Sequence, residues 1–322
     1  MAHHLSLFAG DTRAEMAYQG QKPWHGLGQQ VQQGASLEEW MDQAHMQWSY
    51  KESVAQFTNG ELHDYPDFKV LYRSDNNRPL SVVSHRYKVV QPKEIVEFFR
   101  SLVEKEGFTI ETLGALKEGR RIWALANTNI ENDVVGSDRL KAHLLLITSC
   151  DGSLATTAKF VSTRVVCWNT QAIALHAEAG KAVKVRHNTV FNPDEVKEDM
   201  GLVGAKAFDV FLGNMRSLTK VNMTVSDAQS FVASLLPAST GGTKDVREST
   251  AFCKIMGLFN GEGKGSDMPG VAGTAWGLLN AVTEYADHHV RSRSQENRFD
   301  SAMFGMGANL KATAECALLE MA

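Results

Sequence analysis

The sequence predicts an α+β fold: an antiparallel, β-rich N-terminal and central part packed with helices, followed by a helical C-terminal half. Three observations predict it. From His45 to Thr170, short runs rich in β-branched and aromatic residues are separated by turn chemistry. From Asn192 onward, apolar residues recur at helical spacing. No regular strand–helix–strand alternation of a doubly wound sheet intervenes. With 322 residues, 43% apolar and 22% charged, the chain can bury a substantial core. The composition shift divides it into a β-rich domain with an N-terminal arm over 1–190 and a helical region over 191–322 packed on it.

The opening segment reads as loop. In "SLEEWMDQA", Ser36 followed by Glu39 matches a capping box, and Leu37, Trp40, Met41 and Ala44 fall on one helical face. The runs "HMQWSYKESVAQF", "DFKVLYRSD" and "PLSVVSHRYKVV" read as antiparallel strands, with turns at Asn59-Gly60 and Ser74 to Asn77. Pro92 opens a helix whose face is Ile95, Phe98, Phe99 and Leu102 and whose stop is Gly107. Strands follow in "TIETLGALKEG", "RRIWALANT" and "RLKAHLLLITSC", the first two joined by a hairpin at Gly119. The stretch "DGSLATTAKFVSTRVVCWNT" reads as two strands split near Ser162-Thr163, and "TQAIALHAEAG" as a helix stopped by Gly180. Beyond it, Asn192 and Pro193 start a helix with Val196, Met200, Val203, Ala207, Val210 and Phe211 on one face. Further helices are expected from Ser226, in "VRESTAFCKIMGLF", in "VAGTAWGLLNAVTEYADHHVRSR" and in "SAMFGMGANLKATAECALLEM".

The N-terminus lacks a secretory pattern, and no run approaches the roughly 18 apolar residues of a membrane span, so a cytoplasmic protein with no membrane partner is expected. Cys150, Cys167, Cys253 and Cys316 are isolated and read as buried free thiols. The net charge of −4 conceals an island. From Arg139 to His187, seven cations face two carboxylates, leaving +5 there and −9 over the rest. Such an island attracts phosphates even on an acidic protein.

The loop Gly261 to Gly270 is not a P-loop: Leu258 stands where the first glycine belongs, and Gly265 follows Gly263-Lys264. It reads as a mobile surface loop. On a helix, Asn280, Glu284, Asp287, His288 and Arg291 form a polar stripe, and Glu284 with His288 at i,i+4 has the spacing for acid–base or metal work. An ordinary surface pair has the same spacing. Cys167, within the apolar "VVCW", reads as an inert thiol rather than a nucleophile toward His176 or His187. Trp24 and His25 in "KPWHGLGQ" read either as a stacking pair or as an anchor for an extended arm. No cofactor is expected.

Taken in order, "KPWHGLG", "SHRYKVVQP", "DGS" leading into "RVVCWNT", "GTAWGLLNAVTEYADH" and "FGMGANLKATA" resemble the phage/plasmid-like protein family that carries domain of unknown function nine-three-two (DUF932). The resemblance spans nearly the whole chain. It implies a setting in mobile elements, where proteins without an evident active site often handle DNA, as strand-annealing proteins of the Red-beta and Erf kinds do by joining a small antiparallel sheet to a basic groove and assembling into rings. The expected partner is therefore single-stranded nucleic acid, bound by a homo-oligomer with a strand-annealing or recombination role.

On a strand, Lys159, Val161 and Thr163 share one face and Phe160, Ser162 and Arg164 the other; a turn near Ser162 brings both cations to one rim. Lys159, Arg164, Lys181, Lys184 and Arg186 are expected to line a groove, with Trp168 or Trp123 as stacking platforms. Two alternatives are a protein-binding module acting on a host factor, and a metal-dependent nuclease using Glu284, Asp287 and His288.

Overall fold

A computed structural model describes residues 14–20, 28–166, 169–172, 182–201, 204–236, 245–293 and 295–322. In chain order its elements are β1 (Met16–Gln19), β2 (Gln29–Val31), α1 (Leu37–Gln43), β3 (Tyr50–Asn59), β4 (Glu61–Arg73), β5 (Pro79–Ser84), α2 (Pro92–Glu106) and β6 (Thr109–Leu116). Then come β7 (Arg121–Asp133), β8 (Arg139–Ser149), β9 (Thr156–Arg164), β10 (Asn169–Ala172) and β11 (Val183–Val185). Helices complete the chain: α3 (Pro193–Gly201), α4 (Gly204–Leu218), α5 (Val225–Leu235), α6 (Thr250–Gly257), α7 (Ala275–Glu284), α8 (Gln295–Phe304) and α9 (Met306–Leu319). The architecture is α+β, as composition and periodicity predict. Among the described residues no helix is long and apolar enough to cross a membrane.

The chain forms two compact units: residues 1–129, 143–159 and 182–202 in the first, and 130–142, 160–181 and 203–322 in the second. In the first unit β1 pairs parallel with β2 and antiparallel with β6, and β6 pairs with β7. β11 runs antiparallel to β9. A separate sheet of order β3-β4-β5 turns at Gly60, whose φ of +78° only glycine adopts without strain. Helix α1 begins on the expected capping box: Ser36 Oγ accepts from Glu39 N, and Glu39 Oε2 from Ser36 N. Helix α2 starts with Pro92 and ends at left-handed Gly107. Its Ile95, Phe98 and Phe99 are fully buried, and the ring of Phe98 meets Phe191.

In the second unit β10 pairs antiparallel with the C-terminal part of β9. The core gathers Phe208, Phe211 and Met215 of α4, Phe231 of α5, Ile255 of α6 and Trp276 to Val282 of α7. Every residue of α7 is buried, so it is a central helix rather than one with a wet stripe.

Three expectations change. β9 runs unbroken through Ser162-Thr163 to Arg164, because Thr163 and Ser162 have strand partners in Thr170 and Gln171. Those partners make Asn169–Ala172 a strand where a helix was expected from Thr170; the remainder of that stretch, 173–180, lies outside the described residues. The opening segment contains the parallel pair β1 and β2 rather than loop alone.

Candidate nucleic-acid interface

Pairing of β9 with β11 in the first unit sets Lys184 opposite Thr157. Directly opposed residues share a face, and so do residues two apart on a strand, which places Lys159, Thr157 and Lys184 on one face. Arg186 extends that line past the end of β11, and both Lys184 and Arg186 are exposed.

The segment after β5 adds charges that sequence reasoning missed. Ser81 Oγ of β5 donates to Cys150 O at 2.7 Å and, beyond the strand, Tyr87 Oη to Ser149 O at 2.8 Å, fastening β5 and the segment after it to the end of β8. Lys88 N donates to His187 O at 2.5 Å, and the Tyr87 ring stacks on the His187 imidazole with centroids 4.5 Å apart. Burial pushes the Tyr87 phenol well above its ordinary value, so it remains a neutral donor. These bonds bring exposed Arg86 and Lys88 beside Arg186. Among the described residues no ion pair engages Arg86, Lys88, Lys184 or Arg186. The signal was present as "HRYK", basic and aromatic residues interleaved. Read as continuing strand, it hides that β5 stops at Ser84.

Arg164 has a different environment from the one expected. It is 2% exposed in the second unit, where Nε and Nη2 donate to Asp138 Oδ1 and Oδ2 at 2.6 and 2.9 Å. Trp276 Nε1 donates to the same carboxylate at 2.8 Å. Remaining guanidinium hydrogens reach Lys264 O and Gly265 O at 3.1 and 3.2 Å. A bidentate buried pair of this kind leaves the cation no reach toward a phosphate outside. Arg139 and Lys141 are likewise paired, with Glu131 and Asp133 for Arg139 and Glu131 for Lys141. Lys181 and Trp168 lie outside the described residues, as do Trp24, His25, Cys167 and His176. Trp123 is buried and serves the core, not a stacking surface.

Of the polar stripe at α7, Asn280, Glu284 and Asp287 are buried, whereas Arg291 is exposed. Glu284 Oε2 accepts from Lys264 N at 2.9 Å. Its other oxygen lies 3.6 Å from His289, not His288, because the helix widens to π geometry over Tyr285–His289 and brings i+5 onto the carboxylate. Burial lowers the His289 pKa. Asp287 pairs with Lys311 at 2.6 Å, both buried. Among the described residues no group of three or more His, Cys, Asp or Glu is placed to hold a metal ion. Glu284, Asp287 and His288 are therefore not gathered as the nuclease reading requires.

The loop Gly261 to Gly270 is held, not mobile as expected. Arg164 and Glu284 both bond its backbone, and Ser266 Oγ returns to Gly261 O. At Gly265, with φ of +67°, a Cβ would sit 2.9 Å from Val166 and 3.2 Å from Arg164 Nη2, so only glycine lets the guanidinium approach. Cys150 is buried, but Cys253 is exposed, against expectation. A cavity of about 580 Å³ in the first unit is lined, among the described residues, by Gln19, Gln30, Gln32, Gln33, Thr109 and Glu111, none of them a cation.

The family model described as "Domain of unknown function (DUF932)" matches residues 79–303. No curated protein and no solved structure matches the chain.

Proposed function

The chain belongs to the DUF932 family, and from its own geometry we propose that it binds single-stranded nucleic acid on the cationic face of the first unit. One observation carries the reading: Arg86, Lys88, Lys184 and Arg186 are exposed on segments joined by the Lys88 N to His187 O bond, and among the described residues no carboxylate pairs with these four. Cations left uncompensated on a surface raise a positive potential there even though the whole chain is acidic. A phosphate backbone supplies the missing charge and releases its counterions on binding.

Single strands suit the face better than a duplex, since a row of cations a few residues long can follow one flexible backbone. The mobile-element setting that the family resemblance implies makes annealing of complementary strands the process this binding serves, in the cytoplasm. Self-association belongs to the same reading, because copies in line multiply weak contacts along one strand.

The test is anisotropy of a fluorescent oligothymidylate titrated with the protein across a salt series. Four phosphate contacts on a single strand give a log–log slope of about −3, so affinity drops about fifty-fold between 50 and 200 mM salt. Undetectable binding, or affinity that ignores salt, overturns the proposal.

A further inference from the structure

The hairpin of β3 and β4 leaves large apolar side chains in water. Phe57, Tyr65 and Phe68 are 51%, 46% and 36% exposed, and Val54, Leu62 and Val82 are exposed beside them. Folded chains rarely leave so many neighbouring apolar groups exposed unless something covers them. The aromatic members form a row. Phe57 is opposite His63 with the rings stacked at 5.3 Å, Tyr65 meets Phe57 edge-on at 6.5 Å, and Phe68 lies 5.0 Å from Tyr65.

The row leads to the cations. Phe68 is opposite Ser84, and His85 N donates to Asp67 O at 3.0 Å, so Arg86 and Lys88 follow at the root of the hairpin, within the same unit. Asp64 shares the opposite hairpin face with Gln56, which holds it at 2.7 Å. The aromatic face thus keeps His63 and Tyr65 clear of that carboxylate, while Glu61 lies on the same face at the tip and exposed Asp67 precedes Phe68.

We infer that the row Phe57, Tyr65 and Phe68 is the base-stacking platform of the nucleic-acid interface, with Arg86 and Lys88 receiving phosphates of the same strand; this rests on the function proposed above. At the hairpin root the cations Arg86 and Lys88 outnumber the Asp67 carboxylate, and this charge selects the occupant: a polyanion that also carries flat π-faces matches cations and rings together. Stacking accepts every base, so the platform confers affinity without sequence preference.

Two kinds of contact leave separable signatures. Phosphate contacts set the slope of log affinity against log salt, whereas stacking shifts the whole line. Phe57→Ala, Tyr65→Ala and Phe68→Ala each remove an exposed ring and leave the core intact. Each is expected to lower oligothymidylate affinity about tenfold at every salt concentration with the slope unchanged, while Tyr65→Phe restores binding. Oligonucleotides carrying 5-iodouracil should crosslink to the tryptic peptide Glu52–Lys69. If the full chain binds with a steep slope but ring variants match it and crosslinks fall elsewhere, the platform is overturned and the cationic face stands. If the full chain does not bind, the function reading itself has failed. Ring variants that change the sedimentation coefficient but not the affinity assign the hairpin to a second copy of the chain, and also overturn the inference.

Discussion

Tyr87 lies on His187 with ring centroids 4.5 Å apart and planes 19° from parallel, and this stack joins two segments that are 100 residues apart in sequence. Both imidazole nitrogens face carbonyl oxygens, Lys88 O at 3.1 Å and Leu154 O at 3.0 Å. The three-residue strand β11 is too short to hold itself on β9 without that fastening. His187→Ala should therefore speed amide exchange across Val183 to Val185, read by mass spectrometry, whereas Tyr87→Phe keeps the ring, loses only the bond to Ser149 O, and should speed it less. Equal exchange in His187→Ala and wild type would show that the stack positions nothing.

Arg164 and Asp138 make one buried ion pair of the second unit, and Trp276 donates to the same carboxylate. Removing the cation leaves a buried carboxylate uncompensated, so Arg164→Ala should lose about 3–5 kcal/mol of stability in urea unfolding. Below its unfolding midpoint the variant should bind oligothymidylate with the wild-type salt slope. A flattened slope would return Arg164 to the interface.

Asp287 and Lys311, likewise both buried, offer a second test. Lys311→Met removes the cation that faces Asp287 and should cost about 3–5 kcal/mol; adding Asp287→Leu removes the carboxylate as well and should recover much of it. Urea midpoints of the singles and the double decide this. A double variant as unstable as the sum of the singles contradicts the pairing.

Stability should fall at alkaline pH. Burial pushes the Cys150 thiol from its ordinary 9.0 up to about 12, and burial also holds the Tyr50 phenol well above its ordinary 10.0. Both protons leave the unfolded chain near the ordinary values and stay on the folded one. From pH 9 toward about 12 the unfolded state therefore binds fewer protons, and stability drops as pH rises. The urea midpoint should decline from pH 9, and decline less in Cys150→Ala with Tyr50→Phe. A midpoint constant between about pH 8.5 and 10.5 would contradict it.

Local chemistry makes much of the fold legible in the sequence. Ser36 with Glu39, Pro92 with Gly107, and Asn59 with Gly60 each act within a few residues, and each marks a boundary that the structure has. Thr224 caps α5 one residue earlier than its apolar pattern suggests. What a linear reading lacks is the partner. Arg164 and Lys159 look alike in sequence, but Asp138 lies 26 residues before the first and takes its charge. Glu284 looks like half of an i,i+4 surface pair until Lys264 and the widened turn claim it. Arg86 and Lys88 matter only because Lys88 meets His187 across the fold. The aromatic row escapes notice for the same reason, since alternating aromatics on a strand read equally well as a core face.

The most direct measurement is the salt dependence of oligothymidylate binding by the variant carrying Arg86→Ala, Lys88→Ala, Lys184→Ala and Arg186→Ala, set against wild type. Four lost phosphate contacts should make the log–log slope shallower by about 3 and bring the two affinities together at high salt. Lines that run parallel, or coincide, would mean that these four cations touch no phosphate.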